Sequence, residues 1–597
     1  MRAAAAGWRG LLLLTLLGLA VFGNALRAPF QYDDLHSIEF NPYIRTLSGV
    51  GDHFVDPGTF SSRTRGFMYR PVLMTSYSLD YALWGTQPTG FRVTNLILHV
   101  IASALFAVLA GRWIGARAGV GAAILFLVHP LHGEAVDYVS SRSDLLVAVF
   151  ALACLVVLRA LSAWPLLVLY VGALLSKSVA VTVPVIAAAL AWARHGWRGL
   201  HPDRWRYLLL VLSTVTYLSI LWGTRFLVSS YGKLPRQPLA EFWTQSKALV
   251  YYSWLGSSPV QLSVDHPFAV AVGPGSPVVA ASLLLLLSIA ILSLRHRACL
   301  PARGMFFFGI AMIPYLVVPL NIVVAERRVY LASCGLFLIG IWAWTEAERR
   351  WGSALRPVGV GLCIVLALLT IERNAVWASD VSLWRDAVKK NPVSARPRMN
   401  LGLAHKRQGD LVEARRQLDE GLRLDPGFAE GWVVLGQLRL SAGDVTGATL
   451  AYRKAARLDP TMAGVHHNLG NVAMQLGQID SAVVHFGRVL ELDPNFVEAR
   501  NNLGQALEQQ GRWPDALSAY RRAVSDSVYW VNTDDPVGGA WFNRARAADH
   551  LGLYAEALQA YGQARRRLGA DERYQEYARQ AGERLEQLLR QHPESAP

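Results

Sequence analysis

From Gly10 to about Thr370 the chain runs through one long apolar segment after another, separated only by short basic loops. Nothing else limits its fold as strongly. A run of roughly 20 apolar residues spans the hydrocarbon core of a bilayer as a helix. Lipid offers the backbone no hydrogen-bond partner, so a helix is the form such a run must take. Spans are predicted near 10–26, 93–111, 118–131, 143–161, 164–176, 178–193, 207–224, 276–294, 304–320, 328–346 and 355–371, the two that flank Lys177 being short; 243–262 is ambiguous. A hydrophobic content of 53% over 597 residues excludes an ordinary soluble fold for the whole chain. Arg2 and Arg9 precede the first run as in a signal peptide, but no small-residue cleavage site follows before Asp33, so the run reads as an uncleaved first span.

The net charge of +15 invites a nucleic-acid reading. The arginines argue against one, because they cluster in short loops: Arg112 with Arg117, then Arg194, Arg198, Arg204 and Arg206, then Arg295, Arg297 and Arg303, then Arg349, Arg350 and Arg356. The positive-inside rule assigns all four clusters to the cytoplasm. They alternate correctly if 243–262 does not fully cross, which gives eleven spans. The first outer loop 27–92, the loop His129–Asp144, the loop 225–243, the loop near Asn321–Arg328 and everything after the last span are then expected on the outer face. The four cysteines, Cys154, Cys299, Cys334 and Cys363, lie in or between spans and outline no disulfide framework.

After Ile371 the chain turns polar and Ala-rich, with a period of 34 residues. Pro392, Pro426, Pro460 and Pro494 keep that spacing, and Leu-Gly recurs at 401–402, 435–436, 469–470 and 503–504. Gly409, Gly443, Gly477 and Gly511 close one helix of each unit; Ala414, Ala448, Ala482 and Ala516 open the next, with Tyr452, Phe486 and Tyr520 four residues on in the last three. Small residues where paired helices cross make this the tetratricopeptide (TPR) pattern, a solenoid that binds polypeptides or assembles complexes. The expected plan is a membrane domain over 1–375, a linker over 376–391, four repeats over 392–527, an insertion loop over 528–539, and a further repeat-like unit with a capping helix over 540–597. The fold class is all-α.

The residues with chemistry to offer fall on the expected outer face. Asp33-Asp34 follows the first span, and ionised groups at a membrane boundary are functional candidates. Then come Arg70, the run His129-Pro130-Leu131-His132-Gly133-Glu134, Arg142, Asp144, Lys177 and the cluster Glu326-Arg327-Arg328. Each has a plainer role open to it. Acidic pairs in loops usually face water, the His129–Glu134 run completes no zinc signature, and arginines at span ends often serve as anchors. Yet an outer-face Glu-Arg-Arg cluster runs against the positive-inside bias, and anion binding accounts for it. Carboxylates and cations at one outer-face site suit glycosyl transfer from a lipid phosphate. A carboxylate takes the acceptor proton, and cations stabilise the phosphate leaving group.

At these residues the chain resembles the transmembrane and TPR O-mannosyltransferases (the TMTC family), within the GT-C class of polyprenyl-phosphate-sugar-dependent glycosyltransferases. The matching segments, in order, are Asp33-Asp34, Tyr69-Arg70-Pro71 with Asn95 and His99, His129 to Ala135, Ser141-Arg142-Ser143-Asp144-Leu145-Leu146, Leu175-Ser176-Lys177, Glu326-Arg327 with Tyr330-Leu331, and Arg373-Asn374 with Trp377. The family usually carries an acidic residue after the lysine, where this chain has Ser178.

The resemblance implies a polytopic GT-C-type helical domain followed by a TPR α-solenoid. It implies an inverting transferase moving a hexose, mannose in the family, from a polyprenyl-phosphate donor to protein Ser or Thr, with the repeats binding the acceptor. Asp33 and Asp34 are then the catalytic candidates, Asp33 favoured as the base; Arg327, Arg142, Lys177 and Arg328 are candidates for the donor phosphate. His132, Glu134, Asp144, Arg70 and Glu326 would shape the sugar and acceptor pocket. A divalent cation, if one is used, would sit on Asp33 and Asp34. The short loops and few repeats read as a bacterial inner-membrane protein, with the repeats outside the cytoplasm. The alternatives are a non-catalytic, membrane-anchored repeat scaffold for envelope assembly and a transferase acting on lipid or glycan acceptors.

Overall fold

In the computed structural model, which describes residues 2–591 apart from 62–67, 161, 224–236, 272, 319–321, 526–535 and 568–571, every regular element is a helix. The chain divides into two units, Met1–Val393 and Ser394–Pro597.

In the first unit, eight helices among the described residues are long and apolar enough to cross a membrane: Gly7–Ala25, Pro88–Ile114, Val139–Val157, Ser178–His195, Trp197–Gly223, Pro277–Arg295, Leu300–Val317 and Ser353–Val376. The pair Ala116–Val128 and Pro130–Asp137, bent by 53°, makes a ninth if it acts as one span. Two further expected spans correspond to the helices Ala163–Ser176 and Ser333–Trp351. Ala163–Ser176 has 14 residues, about 21 Å at 1.5 Å per residue. Ser333–Trp351 ends in the charged run Glu346, Glu348, Arg349 and Arg350. The ambiguous stretch is the helix Pro238–Ser257, which is not among the eight.

Burial sorts these helices by their surroundings. The central part of Val139–Val157 is 67% buried, whereas Pro277–Arg295 and Ser353–Val376 are 17% and 11% buried. The outer helices present Leu284, Leu287, Leu292, Val358, Val360 and Leu368 to the outside. An apolar belt of that extent matches a lipid surface better than water. The eight helices and this belt mark the unit as a membrane domain.

The segment 376–391, expected as a linker, contains a helix that packs within the first unit. Residues Asp380–Lys390 form a helix started by a capping box between Ser379 and Ser382. Trp377 and Trp384 are both buried within the first unit, Asp386 pairs with Arg373 at 3.3 Å, and the Lys390 ammonium donates to the Leu262 carbonyl at 2.7 Å. The apolar residues Val381, Leu383, Trp384 and Ala387 lie on the buried side of this helix, a pattern too short to stand out in the sequence.

The second unit is a run of antiparallel helix pairs, from Ala395–Arg407 with Leu411–Leu424 to Pro536–His550 with Tyr554–Arg567, followed by Glu572–Gln591. The expected insertion at 528–539 falls largely outside the described residues. The 34-residue glycines have a steric reason. A Cβ on Gly470 would stand 2.5 Å from the Phe486 ring, and Gly436 and Gly504 stand in the same relation to Tyr452 and Tyr520. Gly443, with φ +81°, closes its helix in the left-handed region that other residues avoid. Gly470→Ala is expected to force the Phe486 ring out of place and destabilise the array by about 1–3 kcal/mol, read by denaturant unfolding of the whole protein.

Candidate active site

The loop after the first span is braced from below. The buried Arg92 guanidinium donates to the carbonyls of Ala28 (3.2 Å), Pro29 (2.7 Å) and Asp137, and Gln31 donates to the Trp377 carbonyl at 2.6 Å. The chain then turns at Tyr32, whose φ of +51° is the single positive value at a non-glycine among the described residues. Strain of this kind persists where the surroundings impose it, and it concentrates at functional sites. Here the Tyr32 ring lies between Tyr138 and Trp384, at 6.5 and 5.5 Å.

Beyond that turn the two aspartates separate. Asp34 is fully buried. One of its oxygens accepts from the Ser140 N–H (2.7 Å) and hydroxyl (2.6 Å), and the other accepts from the Gln31 N–H (3.2 Å). The Asp33 side chain keeps 39% of its surface exposed and meets His36 Nε2 at 3.3 Å. The other His36 nitrogen faces the Ser61 hydroxyl at 2.9 Å. If Ser61 donates to Nδ1, the Nε2 proton points at Asp33. Burial pushes the Asp33 carboxyl upward, but His36, Tyr138 and Arg327 outweigh it and hold it below its ordinary value. Asp33 is thus an ionised, reachable carboxylate, while Asp34 is an internal tie between the loop and Ser140.

Burial dominates at Asp34 and pushes its carboxyl up to about 6, against the pull of Arg92 and the bonds from Ser140 and Gln31. Its folded-state value lies above the ordinary 3.8, so the folded protein holds this proton more tightly than the unfolded chain. The resulting stability is present below about pH 4 and is lost as pH rises toward 6. The loss amounts to about 3 kcal/mol at 1.4 kcal/mol per pH unit. The stability of wild type relative to Asp34→Asn, which cannot titrate, is expected to fall by that order between pH 4 and pH 7. Unfolding midpoints across that range check it.

Arg327 acts on the charge of Asp33, and two further cations, Lys177 and Arg70, lie near Arg327. Arg327, 21% exposed, pairs with Glu134 at 2.6 Å and lies over the Tyr138 ring at 5.6 Å. The second Glu134 oxygen accepts from the Arg327 backbone N–H at 3.1 Å, so Glu134 fixes both ends of this residue. The Lys177 ammonium contacts both Asp144 oxygens at 2.6 Å. Its carboxylate partner thus comes from the helix Arg142–Val157 rather than from position 178. Arg70 donates to the Ser143 hydroxyl at 3.1 Å. Arg70 and Arg327 both act on the charge of Lys177, and Asp144 on that of Arg70. Arg327, Lys177 and Arg70 thus form one cationic group that shares Glu134 and Asp144 as partners and reaches Asp33 through Arg327.

The remaining candidates are placed elsewhere. Arg142 has no exposed surface; it pairs with Asp80 at 2.6 Å and donates to Asn95, the Phe91 carbonyl and Ser76. All three of its nitrogens are engaged, which makes it a clamp between helices instead of the phosphate contact expected. Asp80→Ala would leave that charge buried without its partner and is expected to cost about 3–5 kcal/mol, read by thermal unfolding. Arg328 donates to the carbonyls of Val323 and Ile322 and so closes its own loop. His132 is fully buried, between the Phe126 carbonyl and the Ser333 hydroxyl, and walls no open pocket. Glu326, also fully buried, accepts from Ser263 (2.5 Å) and meets His266 (3.2 Å) and Arg373 (3.3 Å). It is a hub that joins three segments.

Among the described residues no group of three His, Cys, Asp or Glu side chains converges as a metal site. Sequence reasoning missed His36, Tyr138 and Ser140. The spacing Asp33-x-x-His36, one helical turn, was the signal available for the first.

The tetratricopeptide-repeat family matches residues 381–427, 399–463 and 467–527. A protein O-mannosyl-transferase of Caenorhabditis elegans is 24% identical over 459 residues, 71% of this chain and 64% of its own. TMTC3 of Mus musculus is 24% identical, covering 68% of this chain and 50% of its own, and TMTC4 of Mus musculus 26%, covering 68% and 65%. The chain spans about half to two thirds of the length of these curated relatives. Among solved structures, YrrB, a TPR protein described as having an unusual peptide-binding site, is 22% identical over 34% of this chain and 99% of its own, with a TM-score of 0.28. The sequence similarity thus extends over more than two thirds of the chain, and the relatives it reaches there are named protein O-mannosyl-transferases.

Proposed function

We propose that this chain is a membrane glycosyltransferase that moves a hexose, mannose by analogy with its relatives, from a polyprenyl phosphate to Ser or Thr hydroxyls of a polypeptide. The observation that carries this reading is the pairing of one reachable carboxylate, Asp33, with the cations Arg327, Lys177 and Arg70. Asp33 takes the proton from the acceptor hydroxyl as its oxygen bonds to the anomeric carbon. The bond from that carbon to the phosphate oxygen breaks, and the electron pair leaves with the polyprenyl phosphate. The cations stabilise the charge gathering there. Attack opposite the leaving group inverts the anomeric configuration.

The positive-inside rule supports an extracytoplasmic site, since Arg112 and Arg194 lie at the far ends of helices whose near ends approach Asn95 and Lys177. The repeat array supports a polypeptide acceptor. Asn471 with Asn502, at 3.0 Å, and Asn501 with Asn543, at 2.9 Å, set amides side by side along it, and an amide can donate to and accept from an extended backbone at once. An acceptor bound there is held on the same chain as the catalytic residues.

The test is purified full-length protein with polyprenyl-phosphate mannose and a Ser/Thr-containing peptide, scored for mannosyl peptide and released polyprenyl phosphate. Deleting residues 394–597 is expected to abolish transfer to protein. Undiminished transfer to a lipid or glycan acceptor after the deletion would favour that class of acceptor.

A further inference from the structure

The ends of the helices remote from Asp33 enclose a cavity that the proposed reaction does not use. The helix Arg142–Val157 starts at the site and has 16 residues, about 24 Å at 1.5 Å per residue; Arg159 follows its far end. Arg112 and Arg194 sit in the last turns of Pro88–Ile114 and Val183–His195, Arg303 in the first turn of Leu300–Val317, and Tyr207 near the start of Arg204–Gly223. These side chains surround a cavity of about 360 Å³ whose remaining wall is largely apolar, with Leu109, Leu155 and Leu190 among its residues. A hollow of about 580 Å³ shares Arg194 and His195 with it and adds Arg295, His296 and Arg297.

The charge in this cavity is not balanced from within. Arg159 is neutralised by Asp203 at 2.6 Å, and Arg112 donates to the Val156 carbonyl. No carboxylate lines the cavity among the described residues. Arg303 stacks over Trp113 at 5.5 Å and feels the like charge of Arg194. The Arg303 Nε and the Tyr207 hydroxyl are buried without a hydrogen-bond partner. A buried donor left unpaired costs about 1–3 kcal/mol, so two of them beside this guanidinium charge favour an anionic acceptor here. A phosphate oxygen accepts from both groups. Free phosphate makes no use of the leucine wall, whereas acyl chains do, and basic pockets between transmembrane helices on the positive side are where anionic headgroups bind.

We propose that this cavity is a binding site for an anionic glycerophospholipid. The lipid phosphate sits between Arg194, Arg303 and Tyr207, and its chains run along Leu109, Leu155 and Leu190. The site is separate from Asp33 and stands whether or not the chain transfers sugar.

The test uses full-length protein in phosphatidylcholine nanodiscs with and without phosphatidylglycerol, with retained lipid read by native mass spectrometry. Wild type is expected to retain phosphatidylglycerol preferentially. Arg194→Gln with Arg303→Gln is expected to weaken retention about 25-fold, about 5-fold for each basic group removed. The charge-matched control Arg349→Gln with Arg350→Gln, away from the cavity, keeps it. Arg303→Lys, the gentler change, is expected to keep the preference in reduced form. Equal retention of the two lipids by wild type, full retention by the double cavity variant, or equal loss in the control would overturn the proposal. Displacement of bound lipid by glycerol 1-phosphate at equal concentration would also overturn it, in favour of a soluble phosphate ester.

Discussion

Asp33→Asn is expected to lower the rate of sugar transfer about 100- to 10,000-fold, the usual contribution of a positioned general base, while leaving the unfolding midpoint close to wild type. The amide has the shape of the carboxylate but cannot take the acceptor proton, and a side chain with 39% of its surface exposed carries little of the fold. His36 is left in place but faces Ser61 on its other side and is a poor substitute. Asp34→Asn should show the opposite profile. Its new N–H₂ must face either the Gln31 N–H or the Ser140 donors, so about 1–3 kcal/mol of stability is lost, while the protein that remains folded keeps its transfer rate within several-fold. Near-wild-type transfer by Asp33→Asn, with Asp34→Asn inactive though folded, would sink the division of roles made here.

Arg327→Ala is expected to act on fold and chemistry together. It removes the arginine that acts on the charge of Asp33 and strands the buried Glu134 carboxylate. Breaking a buried pair from one side costs about 3–5 kcal/mol, and losing a charge that stabilises the leaving group costs about 100- to 1,000-fold in rate. The two effects separate in the double variant Arg327→Ala with Glu134→Gln. Neutralising Glu134 removes the unpaired charge, so stability should recover in part. Transfer should not recover, because the cation is still missing. Recovery of transfer along with stability would mean that Arg327 only braces Glu134 and never meets the donor phosphate.

The two kinds of helix in this chain were legible for two different reasons. Apolar runs between basic loops can be nothing but helices in lipid, and the 34-residue glycines are required wherever an aromatic ring crosses, as at Gly470 and Phe486. The site was legible as a set of residues but not as a set of roles. Arg142 and Arg327 look alike in the sequence, each beside a hydroxyl or charged neighbour at a span boundary. What separates them is Asp80 and Asn95, which close over one guanidinium, and a half-open wall at Tyr138 that leaves the other accessible. Those partners lie 47 to 189 residues away along the chain, beyond any local spacing rule. The same applies to Lys177, whose carboxylate arrives from 33 residues upstream.

The helix Asp380–Lys390 belongs by sequence period to the repeats, whose family match begins at residue 381, and by packing to the membrane unit. Its Trp384 meets Tyr32, and the preceding Trp377 stacks on Tyr138 at 5.6 Å, so these rings are masonry of the chamber around Asp33. A chain cut at residue 376 would lose that wall and is expected to fall silent toward every acceptor, whatever the repeats bind. Cutting after Val393 spares it, and only that longer truncation can report on acceptor choice.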